Sequence, residues 1–424
     1  MILANLLLYC FNNFFIHLVI LSLIFPENIW KVSLATIDYP TNAMKDTTHT
    51  DFDNIIQRTE TYSSKWDKYS GTDILPFWVA DMDLKTPNFI INSVKQRLRH
   101  PILGYTRRPE ELNDTFIAWL KRNQNWEVKE EWLVWIPNVV FGLNIAAKSL
   151  AQTNGSIVVP TPVYYPFLSV AKNSGQHCVR VPLVKSDGQW VMNFDEIEKS
   201  IDANTNLLLL CNPQNPTGRC YSPSELARLA EICLKHGLYL CSDEIHCDLL
   251  IDENISHKSI ASLGPEIGNR TITLFALTKT YNMPGLSCAV AVIPDTTMRN
   301  NFIRSQRGLS GDIGPLTLAA TLAALADETN WVDQLTRYLR ANHKLVLQTL
   351  GNRVTPVEAT YLAWVDLRHL NVEKPASLLE RYGIGLSEGK EFGTAGYVRM
   401  NFGCPKPLLI EGLRRFSKAL KDLE

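Results

Sequence analysis

Two apolar runs, NLLLLC (206–211) and LYLCSD (238–243), flank the stretch SPSELARLAEICLKHG (222–237), and this succession decides the fold. The middle stretch predicts a helix, because Ser222 and Glu225 have the spacing of a capping box and a proline stands at the first helical position. A glycine just past the last apolar residue predicts where the helix ends. The apolar runs predict buried strands, so the three pieces together predict a βαβ unit.

The same alternation of strand-like runs and amphipathic stretches extends from about residue 85 to about residue 300. Two further strands are predicted at SIVVP (156–160) and TITLFAL (271–277). This pattern predicts an α/β fold, in which helices cover both faces of a mostly parallel central sheet. Beyond about residue 310, longer helices and short strands predict a smaller α+β C-terminal domain. The domain ranges that we expect are 1–43 (apolar leader), 44–95 (N-terminal arm and part of the small domain), 96–309 (large domain) and 310–424 (small C-terminal domain).

Length, charge and cysteine content limit the classes of function. A chain of 424 residues favours two domains around one cleft. Its 42 basic and 43 acidic residues give a formal net charge of −1, which gives no sign of a surface for nucleic acid or for an anionic membrane. Nine cysteines occur without a C-x-x-C pair, and this predicts buried reduced thiols rather than disulfides or a zinc site.

The N-terminal run MILANLLLYCFNNFFIHLVILSLIF (1–25) is nearly uncharged and long enough for a signal peptide or a membrane anchor. No lysine or arginine precedes Lys31, however, and asparagines and a histidine interrupt the run. Met44 begins a polar stretch that leads directly into the globular pattern, so residues 1–43 are also explained by a start codon assigned too far upstream. We expect a cytoplasmic protein, with membrane attachment only if residues 1–43 are translated and retained.

Polar side chains with catalytic potential follow three strands of the predicted sheet. They are Asn215 in NPQNPTG (212–218), Asp243 and His246 in SDEIH (242–246), and Lys279 in TKTYN (278–282). Ligands of open α/β sheets bind beyond the carboxyl ends of the strands, so we expect these side chains to meet in one site.

These residue types are the ones that a pyridoxal cofactor requires. Lys279 follows an apolar strand, where partial desolvation lowers the pKa of an amine and favours the neutral form that builds a Schiff base. Asp243 is the candidate acid that keeps the pyridine nitrogen protonated, although a helix N-cap or a surface turn is the alternative use of such a residue. Asn215 and His246 are candidate donors to the 3-oxygen of the ring.

The segments NPQNPTG, SDEIH and TKTYNMPG resemble the signatures of fold-type I pyridoxal 5'-phosphate (PLP) enzymes of the class I/II aminotransferase family. Further segments resemble its carbon-sulfur β-lyase branch, which includes cystathionine β-lyases and the maltose-regulon modulator protein. These are FWVADMD (77–83), LGYTRRP (103–109), NVVFGLN (138–144), TPVYYPF (161–167) and YVRMNFGCP (397–405). The resemblance extends from about residue 51 to the end, and it implies a PLP cofactor.

The resemblance also implies roles for individual residues around the cofactor ring. It makes Lys279 the lysine that binds the cofactor covalently, Asp243 the partner of the pyridine nitrogen and Asn215 the donor to the 3-oxygen. His246 stands where many aminotransferases have a tyrosine. Tyr164 is expected to stack its flat ring on that of the cofactor.

Other implied roles concern the phosphate group and the dimer. Val139 and Val140 are expected to offer backbone N–H groups to the phosphate at the start of a helix, where the helix dipole favours an anion. Thr278 is a further candidate donor, since Ala276 replaces a phosphate-binding serine common in the wider family. Tyr105 is expected to reach the phosphate of a neighbouring subunit, which implies a homodimer with shared active sites.

Arg399 is the candidate for binding the substrate carboxylate, because a planar guanidinium binds a carboxylate with two parallel hydrogen bonds. An internal ion pair is the alternative use of an arginine inside an apolar strand. Trp78 and Tyr105 are expected to shape the substrate pocket. Ser287 departs from the wider family, in which an arginine is common at this position.

The resemblance therefore implies a PLP-dependent carbon-sulfur β-lyase that cleaves L-cystathionine, cysteine or S-substituted cysteines to a thiol, pyruvate and ammonia. A class I/II aminotransferase is the first alternative, since the same residues serve both reactions. An additional regulator-binding role is the second alternative, because the branch includes a member that acts on a transcription regulator.

Overall fold

The computed structural model of the chain describes residues 50–423. The predictions for residues 1–43 and for Met44 therefore concern residues outside the described part. The strands are β1 (Leu75–Pro76), β2 (Leu133–Ile136), β3 (Ser156–Thr161), β4 (His177–Pro182), β5 (Val184–Ser186), β6 (Gln189–Val191), β7 (Thr205–Cys211), β8 (Tyr239–Asp243), β9 (Thr271–Phe275), β10 (Ala289–Val292), β11 (Leu362–Asp366), β12 (Ile384–Gly385), β13 (Ser387–Glu388) and β14 (Tyr397–Asn401).

The helices alternate with these strands. They are α1 (Ser64–Asp67), α2 (Asn88–Leu98), α3 (Glu111–Gln124), α4 (Val139–Ser149), α5 (Pro166–Asn173), α6 (Phe194–Lys199), α7 (Pro223–His236), α8 (Pro265–Gly268), α9 (Thr296–Gln306), α10 (Pro315–Leu325), α11 (Trp331–Leu350), α12 (Pro375–Glu380) and α13 (Lys406–Leu423). Within residues 50–423, no helix combines the length and the apolar character that crossing a membrane requires.

A seven-stranded sheet in the order β2-β10-β9-β8-β7-β3-β4 forms the centre of the fold. Strands β9, β8, β7, β3 and β4 pair in parallel, whereas β10 runs antiparallel to both β9 and β2. The predicted α/β fold with a mostly parallel central sheet is therefore confirmed.

Strand β7 explains why the run NLLLLC is apolar throughout. Leu207 and Leu209 pack into the hydrophobic core on one face of the sheet, and Leu208 and Leu210 pack into the core on the other face. Successive side chains of a strand point to opposite faces, so a strand covered by helices on both sides has no position that favours a polar residue.

The predicted βαβ unit is present as β7, α7 and β8. At the start of α7 the Ser222 hydroxyl accepts from the backbone N–H of Glu225 (3.2 Å), and the Glu225 carboxylate accepts from the backbone N–H of Ser222 (2.8 Å). Gly237 ends the helix in a left-handed conformation with φ 69°. The capping box and the glycine stop act as the sequence predicted.

The C-terminal part contains the predicted long helices and short strands. Strands β11, β14 and β13 form an antiparallel three-stranded sheet, and β12 pairs in parallel with β1 from the N-terminal part. This pairing joins the two ends of the described chain beside the central sheet. The division into domains at residues 95 and 309 stays a prediction.

Gly218, the last residue of NPQNPTG, fixes that loop against the C-terminal part. It has φ +73°, and its carbonyl accepts from the backbone N–H groups of Glu358 and Ala359 (2.9 Å each). A Cβ atom at this position would overlap the side chain of Val357. Both the backbone conformation and the close approach therefore require glycine.

We expect Gly218→Ala to lower the free energy of unfolding by about 2–5 kcal/mol, because the left-handed conformation is unfavourable for alanine and its Cβ atom would be overpacked against Val357. Gly188→Ala is the matched control, since Gly188 has φ +78° with open space around its Cβ position. This control should lose only about 1–2 kcal/mol. Equal losses in denaturant-induced unfolding would contradict the assigned role of the Val357 contact.

Candidate active site

A cavity of about 600 Å³ lies beyond the carboxyl ends of β7, β8 and β9. Ten of the eleven residues singled out in the sequence line it. They are Trp78, Val139, Val140, Tyr164, Asn215, Asp243, His246, Thr278, Lys279 and Arg399. These side chains come from segments up to 321 residues apart, as the contact between Trp78 and Arg399 shows, so the fold itself assembles the set.

Lys279 presents its amine to this cavity. Burial lowers the pKa of the amine to about 8, the Asp81 and Asp243 carboxylates act in the opposite direction, and the Arg399 guanidinium lowers the pKa further. The Nζ atom donates to the carbonyl of Ala80 (2.5 Å). The fraction of Lys279 in the neutral form that Schiff-base formation requires is therefore much larger near neutral pH than for an exposed lysine.

Asp243 ends β8 with its carboxylate almost completely buried. Its Oδ1 atom accepts from the backbone N–H of Ile245 (3.1 Å), and no lysine, arginine or histidine of the described chain forms an ion pair with it. Burial raises the pKa of Asp243 to about 7, against the smaller lowering effects of that hydrogen bond and of Lys279. Such a carboxylate favours a cationic group bound beside it.

His246 is buried, and the described structure provides no hydrogen-bond partner for its Nδ1 atom. Burial lowers the pKa of the imidazole to about 3, and the positive charges of Lys279 and Arg399 act in the same direction. The ring is therefore neutral at physiological pH. A neutral imidazole with a free ring nitrogen can either donate or accept one hydrogen bond toward a molecule in the cavity.

Arg399 and Asn215 contact each other across the cavity wall. The Arg399 Nη1 atom donates to the Asn215 Oδ1 atom (3.0 Å), and Nη2 donates to the Trp78 carbonyl (2.7 Å). The Nε atom is buried without a partner, and Arg399 forms no ion pair within residues 50–423. The internal ion pair considered as an alternative is thus wrong, and the amide orientation leaves Asn215 Nδ2 available as a donor.

The N-terminus of α4 also faces the cavity. Val139 and Val140 lie in its first turn, where backbone N–H groups have no acceptor within the helix, and the side chain of the N-cap Asn138 accepts only from Phe141 (2.9 Å). Thr278 approaches the cavity from the loop after β9. Together they form a suitable environment for a phosphate group.

Aromatic side chains form two walls of the cavity. Tyr164 is half-buried, with its ring 4.8 Å from that of Tyr165 between centroids. Trp78 is also half-buried, and its indole N–H donates to the Lys65 carbonyl (3.1 Å). Both residues lie where the sequence predicted them, whereas stacking on a cofactor stays a prediction for Tyr164.

Tyr105 does not line the cavity and is fully exposed. Ile102 and Leu103 of the same irregular segment are exposed as well, at 67% and 56%. The role predicted for Tyr105 belongs to the site of a neighbouring subunit, so its position in a single chain leaves that prediction untested.

Residues 78–83, which we call the strap, contribute two cavity residues besides Trp78 that the sequence did not indicate. Val79 and Ala80 line the cavity next to Trp78, and the Ala80 carbonyl is the acceptor for Lys279. The motif FWVADMD was the available signal, but its small apolar residues have no polar group that points to a site. Other lining residues that were missed are Tyr165, Cys211, Ser387 and Glu391.

Comparisons with known proteins agree with this geometry. The family model described as aminotransferase class I and II matches residues 72–416. The cystathionine beta-lyase PatB of Bacillus subtilis (strain 168) is 34% identical over 385 residues, which are 87% of this chain and 99% of PatB. Two solved structures are similar throughout.

The first is cystalysin from Treponema denticola, which contains PLP, with 31% identity, a TM-score of 0.85 and coverage of 89% of this chain and 100% of cystalysin. The second is a PLP-bound protein from Clostridium difficile 630, provisionally described as an aminotransferase. It has 36% identity, a TM-score of 0.84 and coverage of 88% and 100%. The sheet order, the lysine and the carboxylate thus occur in a chain that resembles PLP-containing proteins over nearly its whole described length.

We expect Asp243→Asn to stabilise the apoprotein and to impair the activity of the protein with PLP bound. Because burial raises the folded-state pKa to about 7, whereas an unfolded aspartate titrates near 4, the ionised carboxylate costs increasing stability as the pH rises between these values. At pH 8 the variant should gain on the order of 2–4 kcal/mol in free energy of unfolding, and near pH 4 it should gain nothing.

Asp187→Asn is the control, because Asp187 is an exposed turn residue with φ 50°, a conformation that asparagine tolerates. It should change stability little at either pH. Thermal unfolding of the apoproteins at several pH values measures the difference, and a gain for Asp243→Asn that is independent of pH would contradict the explanation by charge burial.

Proposed function

The chain belongs to the aminotransferase class I and II family, and on that premise we propose that it is a PLP-dependent carbon-sulfur β-lyase acting on L-cystathionine, cysteine or S-substituted cysteines. One observation carries the proposal. A single cavity gathers a lysine with a lowered pKa, a buried carboxylate and a buried arginine, and neither of the last two forms an ion pair within residues 50–423. The name of PatB, a cystathionine beta-lyase, supports the lyase reaction in particular.

The cavity residues fit PLP. The unpaired Asp243 carboxylate suits a protonated pyridine nitrogen, and Asn215 Nδ2 and the free His246 Nδ1 suit the 3-oxygen. The first turn of α4 suits the phosphate group, with Thr278 as an additional hydroxyl donor. Of these groups, the buried His246 Nδ1 has no hydrogen-bond partner within residues 50–423.

When bound, PLP links covalently to an amine and withdraws electrons from the α-carbon of an amino acid. Asp243 keeps that withdrawal strong, because a carboxylate in a dry site favours the protonated pyridine nitrogen. Lys279 would hold the cofactor covalently until the amine of a substrate takes its place. The freed amine can accept the α-proton, since its lowered pKa makes the neutral form available near pH 8.

Arg399 orients the substrate through its carboxylate. Burial lowers the pKa of its guanidinium to about 10, so the group stays charged at physiological pH. Asn215 and the Trp78 carbonyl fix its plane, while Nε remains unpaired. With the carboxylate held, the α-proton leaves to Lys279 and the β-thiolate departs with the carbon–sulfur bonding pair; hydrolysis of the remaining aminoacrylate yields pyruvate and ammonia.

A homodimer is part of the proposal. Exposed apolar residues are concentrated in the irregular segment 102–105, where Ile102, Leu103 and Tyr105 have 56% or more of their surface accessible. A second copy of the chain that covers this segment would bring Tyr105 to the partner's cavity. We also propose a cytoplasmic location, which the eight free cysteines of the described chain support because seven of them are buried thiols.

An aminotransferase is the second candidate, favoured by the similarity to the Clostridium difficile protein. It would use the same lysine, carboxylate and arginine, but Lys279 would return the proton to the cofactor instead of allowing a leaving group to depart. The two reactions differ in their need for a keto-acid acceptor.

We expect residues 44–424 with added PLP to release pyruvate from L-cystathionine in a lactate dehydrogenase coupled assay without any keto acid. Lys279→Ala should abolish this release, since both the covalent anchor and the base are lost. Lys148→Ala, at an exposed position in the last turn of α4, should retain it. Amino transfer that requires a keto acid, without pyruvate release from cystathionine, would instead establish the aminotransferase.

A further inference from the structure

Tyr361 shares a hydrogen-bond acceptor with Lys279. The Tyr361 hydroxyl donates to the Ala80 carbonyl (2.9 Å), and the same oxygen accepts from Lys279 Nζ (2.5 Å). Tyr361 is 1% exposed, so no solvent competes for its hydroxyl. A carbonyl oxygen has two lone pairs, and the two donors occupy both of them.

The residue before Tyr361 has a strained backbone conformation, and Tyr361 follows it with its hydroxyl on the Ala80 carbonyl. Thr360 has φ 74°, a conformation that is an outlier for a β-branched residue, and it is fully buried. Its N–H donates to the Leu249 carbonyl (2.8 Å), and its hydroxyl accepts from the N–H of Leu362 (3.2 Å). Strain of this kind persists where the surroundings impose it and is concentrated at functional sites.

Hydrogen bonds from Asn401 and Lys65 hold the backbone of the strap in place around the Ala80 carbonyl. Asn401 Nδ2 donates to the carbonyls of Val79 and Asp81 (2.7 Å each), on either side of Ala80. Lys65 Nζ donates to the Asp81 carbonyl as well (3.0 Å). These hydrogen bonds restrain the position of the Ala80 oxygen. The Lys279 side chain therefore meets an acceptor whose position is set by the strap.

Several charged groups face Lys279. Asp81 and Asp243 favour its protonated form, and Arg399 disfavours it. His246 is neutral, and burial raises the pKa of the Tyr361 hydroxyl well above the physiological range, so neither adds a charge. Besides these charged groups, the neutral Ala80 carbonyl accepts a hydrogen bond directly from the Lys279 ammonium.

We propose that Tyr361 is a positioning residue for Lys279: by occupying one lone pair of the Ala80 carbonyl, it weakens the hold of that oxygen on the lysine ammonium and keeps the amine available. The inference rests on the assignment of Lys279 as the cofactor lysine in the proposed function. It adds a role for a tyrosine that does not line the cavity.

The test is the pH dependence of PLP capture by the apoprotein, followed through the visible absorbance of the lysine-bound cofactor. Capture requires the neutral amine, so its rate rises with pH around the pKa of Lys279, with a midpoint near 8 for the parent protein. In Tyr361→Phe the Ala80 carbonyl serves the ammonium alone, and the midpoint should rise by about half a pH unit to one unit. The capture rate at pH 7 should fall about three- to tenfold.

Tyr281→Phe is the matched control. It also removes a buried tyrosine hydroxyl that makes one hydrogen bond, here to Asp327 (2.9 Å), without touching the Ala80 carbonyl. It should lower the melting temperature and leave the midpoint unchanged. If Tyr361→Phe likewise changes only the melting temperature, Tyr361 is merely structural and the proposal is overturned.

Site-specific replacement of Tyr361 by 3-fluorotyrosine gives an independent test that retains the shape of the side chain. Its more acidic hydroxyl donates more strongly to the shared oxygen, so the midpoint should move downward, opposite to the phenylalanine variant. A shift in the same direction, or no shift, would overturn the proposal. Lys279→Ala distinguishes failure of the proposed function from failure of the proposal for Tyr361. If this variant still shows the absorbance of lysine-bound PLP, the assignment of Lys279 as the cofactor lysine is wrong, whatever the result for Tyr361.

Discussion

A carboxylate is buried at the end of a parallel strand, and no cationic side chain of the described chain neutralises it. Asp243 is the last residue of β8, which lies between β7 and β9 in the central sheet, and it lines the cavity at the carboxyl ends of these strands. An isolated buried charge is costly, and here burial raises the pKa of Asp243 to about 7 although the Ile245 N–H and Lys279 act in the opposite direction. A cation bound beside Asp243 would lower the cost of the buried charge, and in the proposed function that cation is the pyridinium of PLP.

The other half of the site depends on chain segments that are distant from the sheet in sequence. The strap supplies the acceptor for Lys279, and β14 supplies both Arg399 and the Asn401 amide that fixes the strap. The loop around Thr360 supplies Tyr361. The N-terminal and C-terminal parts of the chain thus supply contacts around a lysine that follows strand β9 of the central sheet.

Much of this architecture was predictable from the sequence because its signals are local. The capping box of Ser222 and Glu225, the run NLLLLC and the placement of Asp243 at the end of β8 each follow from neighbouring residues. Ligand binding beyond parallel strand ends then places Lys279 beside Asp243.

The remaining features depend on contacts between residues far apart in sequence. Nothing near Arg399 indicates that Asn215 and the Trp78 carbonyl are its partners, and a local reading left an internal ion pair open. The importance of Ala80 comes from its backbone carbonyl, which any residue type would supply. The position of Tyr105 relative to a cavity depends on a second subunit.

Identification of the lysine that carries the cofactor tests the central claim most directly. The holoprotein is reduced with borohydride, which makes the bond between lysine and cofactor permanent, and the digested peptides are mapped by mass spectrometry. The account predicts the pyridoxyl group on Lys279, within the segment TKTYN. A label on another lysine, or no label on a protein that retains bound PLP, would contradict the account.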